Sequence, residues 1–177
     1  MKKKIVKLLL TTILFSFLSF VTVKIVSKVK QKAKIDERIE VLPFFTFQKA
    51  DSKIVDKSML SNNKPSIIVA FYPDCEHCQY EAKSIKENAE ILKDVNIIMV
   101  TPLLDSLALV VFTKQFGLDS LSNVYVTRDF KSMLNDSFGI KKMPTVLIYG
   151  AKNNLMKRYN GETKIETILK ILDLPHN

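Results

Sequence analysis

Two apolar rhythms alternate along the chain. Short continuous runs are Ser66 to Tyr72, Val95 to Val100, Asn123 to Thr127 and Thr145 to Tyr149. Rich in β-branched residues and bounded by turn residues, they predict strands buried on both faces. Between them apolar residues recur every three or four positions, as on one face of a helix. Cys75 to Leu92 carries Cys75, Cys78, Ala82, Ile85, Ala89 and Leu92 at that spacing. Leu103 to Phe116 carries Leu104, Leu107, Ala108, Val111, Phe112 and Phe116, with Gly117 placed to stop the helix. Lys131 to Asn135 predicts a short helix. Thr163 to Leu172 predicts a closing one, with Ile165, Ile168, Leu169 and Leu172 inward and Thr163 and Glu166 spaced as a capping box.

The remaining segments complete the order. Val41 to Phe47 predicts a first strand, confined to a sheet edge by Pro43. Asn62-Asn63-Lys64-Pro65 reads as a turn. Leu155 to Tyr159 follows the turn Lys152-Asn153-Asn154, so it pairs with Thr145 to Tyr149 as an antiparallel hairpin. The order β-α-β-α-β-β-α, parallel early and closed by a hairpin, predicts an α/β sandwich.

The amino-terminal segment follows a different rule. Residues 8–23 are apolar without a period, flanked by Lys7 and Lys24. With those two lysines extended outward, the stretch from Ile5 to Val26 is 22 residues long, enough for a bilayer span. A cleaved signal requires small residues at the −3 and −1 positions. Ser19 has Phe17 two places before it and Ser27 has Ile25, so an uncleaved signal-anchor is the favoured reading and export after cleavage the alternative. The expected organisation is a membrane segment over 1–26, a polar stalk over 27–40 and a domain over 41–177. The lysine-rich start places the amino terminus inside and the domain outside a bacterial inner membrane, in the periplasm.

The net charge of +9 suggests a nucleic-acid binder until it is located. Nine of the 27 basic residues lie in residues 1–34, where there is no acid, which leaves 18 against all 18 acids in the rest. A neutral domain behind a basic leader excludes a nucleic-acid partner as the explanation. The charge is topogenic.

Candidate chemistry centres on the chain's two cysteines, Cys75 and Cys78. Residues i and i+3 in the first turn of a helix face the same side, so their sulfurs reach bonding distance with little distortion. Unpaired N–H groups and the dipole at the helix start favour a thiolate on the first cysteine. Cys75 is then the attacking sulfur and Cys78 the resolving one. Glu76 and His77 between them tune the pair: a protonated His77 favours the thiolate, while Glu76 and Asp74, the expected N-cap, oppose it. Zinc needs two further ligands. The two histidines are His77, inside the motif, and His176, near the end, so no metal is expected, and no cofactor. A structural disulfide closing so small a loop gains little entropy.

These residues carry a resemblance. Ile68-Val-Ala-Phe-Tyr-Pro-Asp-Cys-Glu-His-Cys-Gln-Tyr-Glu81 and Gly139-Ile-Lys-Lys-Met-Pro-Thr145-Val-Leu-Ile148 resemble the thioredoxin superfamily, and within it the membrane-anchored TlpA/ResA-like branch. The resemblance spans Val41 to Leu172. It implies a thioredoxin-like three-layer α/β/α sandwich with a mixed central sheet behind the transmembrane helix. It further implies that Pro144 follows a cis peptide bond, and that Tyr72, Met143, Pro144 and Thr145 form the substrate-binding surface. Glu81 stands where the TlpA/ResA-like branch carries a glutamate near its active site. One turn below a buried thiol it is positioned to move a proton; an exposed helix carboxylate is the other reading. The chain departs from the superfamily pattern in having no tryptophan, in the shortened Phe71-Tyr72-Pro73-Asp74 segment and in Ala70 at a position often held by a buried acid.

The expected function is thiol-disulfide exchange on disulfides of extracytoplasmic proteins, with a membrane-bound redox partner. A membrane-anchored metallochaperone or redox-inert binding module is the first alternative. A peroxiredoxin-like peroxidase, suggested by Phe71-Tyr72-Pro73, is the second.

Overall fold

The computed structural model describes residues 2–60 and 63–175. Two compact units divide the chain between Glu37 and Arg38. The first is a single helix, α1 (Lys2–Ile39), whose last two residues belong to the second unit. Among the described residues no helix is long and apolar enough to cross a membrane. The membrane segment expected over 1–26 includes Met1, outside the described residues, and residues 2–11, 13 and 14, whose side chains are outside them too.

The second unit is built on a seven-stranded mixed sheet in the order β2-β1-β5-β4-β3-β6-β7. Its strands are β1 (Thr46–Gln48), β2 (Ile54–Asp56), β3 (Ser66–Ala70), β4 (Asn96–Thr101), β5 (Val124–Arg128), β6 (Thr145–Tyr149) and β7 (Leu155–Asn160). β3, β4 and β5 run parallel, and the other pairings are antiparallel. Every residue of β3, β4 and β6 is buried, as their uninterrupted apolar runs require.

Successive side chains on these strands enter two separate cores. Ile67, Val69, Ile97, Met99, Val146 and Ile148 point to one face; Ile68, Ala70, Ile98, Val100, Leu147 and Tyr149 point to the other. The first face is covered by α2 (Glu76–Glu87), α3 (Ser106–Gln115) and α5 (Ile165–Ile171). The sheet steps in one direction from β3 to β4 to β5, so right-handed crossovers put α2 and α3 on the same side. The second face is covered by Ile39, Leu42, Phe45, Phe138 and the one-turn α4 (Met133–Asp136) through Leu134. One helical layer is therefore full and the other is mostly irregular chain.

Several expectations are corrected here. The first strand covers only Thr46–Gln48, and it lies between β2 and β5 rather than at an edge. Pro43 falls outside it, in the segment where Leu42 N–H donates to Asn153 O across 2.8 Å. The edge is β2, too short to read in the sequence, with Val55 its buried residue. Of the residues expected on the inner face of α3, Phe112 is buried and Phe116 packs against the core, but Leu104, Leu107 and Val111 are exposed and Leu109 takes the inward face with Phe112. At α5 the N-cap is Lys164, without a side-chain cap, in place of the expected Thr163. The expected turn at 62–65 includes Asn62, which lies outside the described residues.

Candidate active site

β3 delivers the chain to the site. The sheet pairing of Ala70 with Thr145 brings Phe71 and Tyr72, just past the end of β3, beside the residues that precede β6. Those residues are Met143 and Pro144, joined by a cis peptide bond as the family resemblance implies. Phe71 is fully buried and Tyr72 is exposed, so the chain turns out of the core between them. Cys75 N–H closes that turn by donating to Tyr72 O across 3.2 Å.

The helix then begins one residue later than expected. Cys75, not Asp74, is the N-cap of α2, and no side-chain oxygen caps the helix start. Cys75 O accepts from Cys78 N–H and Gln79 N–H, each at 3.0 Å. Gln79 Nε2 donates to Pro73 O across 2.8 Å and holds the approach to the helix.

The two cysteines occupy different environments, and both are free thiols. Cys75 is half-buried at the helix tip, whereas Cys78 is fully buried and packs with Phe71, Ala82 and Val146. Burial pushes the Cys78 thiol up to about 12, opposed by Tyr72 N–H, which donates to Cys78 Sγ across 3.5 Å; the neighbouring Cys75 pushes the same way as burial. The buried sulfur is therefore held as a thiol while the outer one meets solvent.

Glu81 lies one turn further along α2 and is only 3% exposed, which removes the exposed-carboxylate reading. Oε1 accepts from Thr163 N–H across 2.9 Å, and Oε2 is buried without a hydrogen-bond partner among the described residues. Burial pushes its carboxyl up to about 8, with the charge of Glu162 acting in the same direction and the Thr163 N–H opposing.

The other expected residues are placed as follows. Glu76 and His77 are exposed on the first turn of α2. His77 Nδ1 lies 2.5 Å from Glu162 Oε2. Met143 is half-buried and packs against the same core cluster as Cys75. Pro144 is buried, and its carbonyl accepts from Gly161 N–H across 2.8 Å. Thr145 is fully buried with Oγ1 donating to Lys142 O across 2.7 Å, so its side chain faces inward and Tyr72 and Met143 are left as the accessible members of the set. Glu162 and Thr163 were not recognisable in the sequence as site residues. Their partners on α2 lie 85 and 82 positions away, and no local pattern encodes such a contact. Among the described residues no group of three or more His, Cys, Asp or Glu side chains is arranged to hold a metal ion.

Residues 52–174 match the family of thioredoxin-like domains. The chain belongs to that family. Solved structures with the same fold include a secreted disulfide oxidoreductase from Mycobacterium tuberculosis homologous to E. coli DsbE, at 22% identity and TM-score 0.58, covering 73% of this chain and 89% of that one. A thiol:disulfide interchange protein of the thioredoxin family from Chlorobium tepidum is 16% identical with TM-score 0.64, over 75% and 93% of the two chains. A peroxiredoxin-like protein from Aquifex aeolicus is also 16% identical, with TM-score 0.60, over 75% and 84%. At these identities the likeness establishes the fold. No curated protein sequence matches the chain.

Proposed function

We propose that this thioredoxin-like protein is a thiol-disulfide oxidoreductase of the TlpA/ResA-like kind, exchanging disulfides with extracytoplasmic proteins through Cys75 and Cys78. The observation that carries the reading is the pairing of a half-buried Cys75 at an uncapped helix tip with a fully buried Cys78 one turn on, above the buried Glu81. In the reductive direction the Cys75 thiolate attacks one sulfur of a substrate disulfide. That S–S bond breaks, one substrate thiolate leaves, and a mixed disulfide joins Cys75 to the other. Cys78 then gives its proton to the Glu81 carboxylate and attacks the Cys75 sulfur. The mixed disulfide breaks, the second substrate thiolate leaves, and the Cys75–Cys78 bond forms. Two electrons pass from protein to substrate, and the reverse sequence oxidises a substrate dithiol.

Once Cys75 is in the mixed disulfide, its opposition to Cys78 ionisation is gone, which eases the proton transfer at the step that needs it. Tyr72 and Met143 flank the helix tip and form the surface for the substrate chain. Residues 1–26 tether the domain to the bacterial inner membrane with the site on the periplasmic side, where a membrane-bound partner exchanges electrons with it. The exposed apolar side chains Phe15, Phe17, Leu18, Phe20 and Val23 support that tether. Against the metallochaperone reading, His77, the histidine among the described residues, is engaged by Glu162. The peroxidase reading lacks the Thr or Ser expected three residues before its reactive cysteine: Tyr72 precedes Cys75 and Cys75 precedes Cys78 at that spacing.

The test uses two variants. Cys75→Ser abolishes reduction of insulin disulfides, whereas Cys78→Ser accumulates mixed disulfides with protein partners, seen on non-reducing gels. Full activity in both variants would remove this function.

A further inference from the structure

Three consecutive residues between β7 and α5 touch three separate parts of the site. Gly161 N–H donates to Pro144 O across 2.8 Å. Glu162 Oε2 meets His77 Nδ1 at 2.5 Å. Thr163 N–H donates to Glu81 Oε1 across 2.9 Å. The proline loop, the residue inside the Cys-Glu-His-Cys motif and the buried acid are thus joined by a single strap. Gly161 makes the turn possible: its φ of 129° is open to glycine and strained for residues with a Cβ.

We propose that Glu162 is a positioning residue that sets how strongly the Cys75–Cys78 disulfide oxidises its partners, an inference that rests on the oxidoreductase reading above. An imidazolium in the first turn of α2 stabilises a Cys75 thiolate, and so favours the dithiol and makes the disulfide more oxidising. Glu162 opposes this in two ways. It takes the imidazole N–H into its own hydrogen bond, and it adds a negative charge beside the helix start. The charge of the same carboxylate also favours the protonated form of Glu81. With Glu162 in place the site leans toward the reductant side; without it, the histidine acts on the sulfur unopposed. Glu162 is exposed and not in the core, so its replacement leaves the fold intact.

The experiment equilibrates the full chain with reduced and oxidised glutathione at about pH 6. In this reaction the protein dithiol gives two electrons to oxidised glutathione. The Cys75–Cys78 bond forms, the glutathione S–S bond breaks, and two glutathione thiols carry off the protons. Four proteins are compared: the natural chain, Glu162→Gln, His77→Asn and the double variant. Glu162→Gln is expected to shift the equilibrium roughly 3- to 10-fold toward the dithiol, about 15 to 30 mV for a two-electron couple. The shift is expected to shrink markedly in the His77→Asn background. An equilibrium unchanged by Glu162→Gln, one moved toward the disulfide, or one moved equally in both backgrounds overturns the proposal. Failure of the natural chain to form an intramolecular disulfide at any glutathione ratio is a different result, and overturns the oxidoreductase reading itself.

Discussion

Thr163 and Glu81 meet through a hydrogen bond: the backbone N–H of Thr163 donates to Oε1 across 2.9 Å, and Oε2 beside it is buried without a partner among the described residues. One oxygen is fixed and the other is free to take a proton. With the carboxyl pushed up to about 8, the group changes charge close to neutrality, where a proton acceptor for Cys78 is needed. Glu81→Gln keeps the shape and the hydrogen bond from Thr163 but cannot accept the proton. Resolution of the mixed disulfide is expected to slow by about 10-fold or more. The rise of that rate with pH toward 8 is expected to disappear. Stopped-flow measurement of resolution from pH 6 to 9 checks both. An unchanged profile would return Glu81 to a structural role.

The same group ties folding stability to pH. The Glu81 carboxyl is raised from 4.5 to about 8 by burial, so the folded state binds its proton more tightly than the unfolded chain does. The stabilisation is complete below the unfolded value and is lost as pH climbs through the folded one. Between about pH 4.5 and 8 the contribution of Glu81 therefore declines, by on the order of a few kcal/mol. Glu81→Gln is expected to flatten this decline, so that urea midpoints at pH 5 and pH 8 lie closer together than in the natural chain. Equal pH dependence in the two proteins would show that another group controls it.

What was legible in the chain follows from how local each signal is. β3 and β6 were readable because a strand buried on both faces leaves an uninterrupted apolar run that turn residues bound. The cysteine pair was readable because its chemistry depends on a spacing of three along a single helix turn. α3 shows where periodicity stops. Leu104, Leu107 and Val111 recur at helical spacing, and so do Leu109, Phe112 and Phe116, and only the sheet beneath decides which stripe is buried. Glu162 shows a second limit, because its role comes from a return of the chain long after α2. Thr163 carried a plausible capping signature, but its N–H is used by Glu81, and Lys164 opens the helix.

Asp129 supports the irregular layer. Only 6% exposed, it accepts from Lys131 N–H at 3.2 Å, Met133 N–H at 2.9 Å and Leu134 N–H at 2.7 Å, and so organises the entry to α4. Ser132, the N-cap of α4, makes no side-chain cap of its own. Asp129→Ala leaves those donors without a protein acceptor and loosens Leu134 against the core. A loss of about 1–3 kcal/mol is expected by chemical denaturation. The glutathione equilibrium should stay unchanged, because no bond from Asp129 reaches the cysteines; a shifted equilibrium would contradict that separation.

The boundary of the folded unit makes the last test. Arg38 donates to Asp136 O, and Ile39 and Leu42 are 1% and 2% exposed within the second core. Glu40 O accepts from Leu155 N–H and Leu42 N–H donates to Asn153 O, both at 2.8 Å, so residues 38–42 clasp the β6–β7 hairpin. A chain starting at Arg38 keeps all of these contacts. One starting at Phe44 loses two buried aliphatic side chains, at roughly 1.5–3 kcal/mol each, together with the paired backbone groups. The first is expected to fold with a single cooperative urea transition and an active dithiol. The second is expected to be several kcal/mol less stable or to remain unfolded. Equal midpoints for the two would mean that the docked segment contributes nothing to the core it covers.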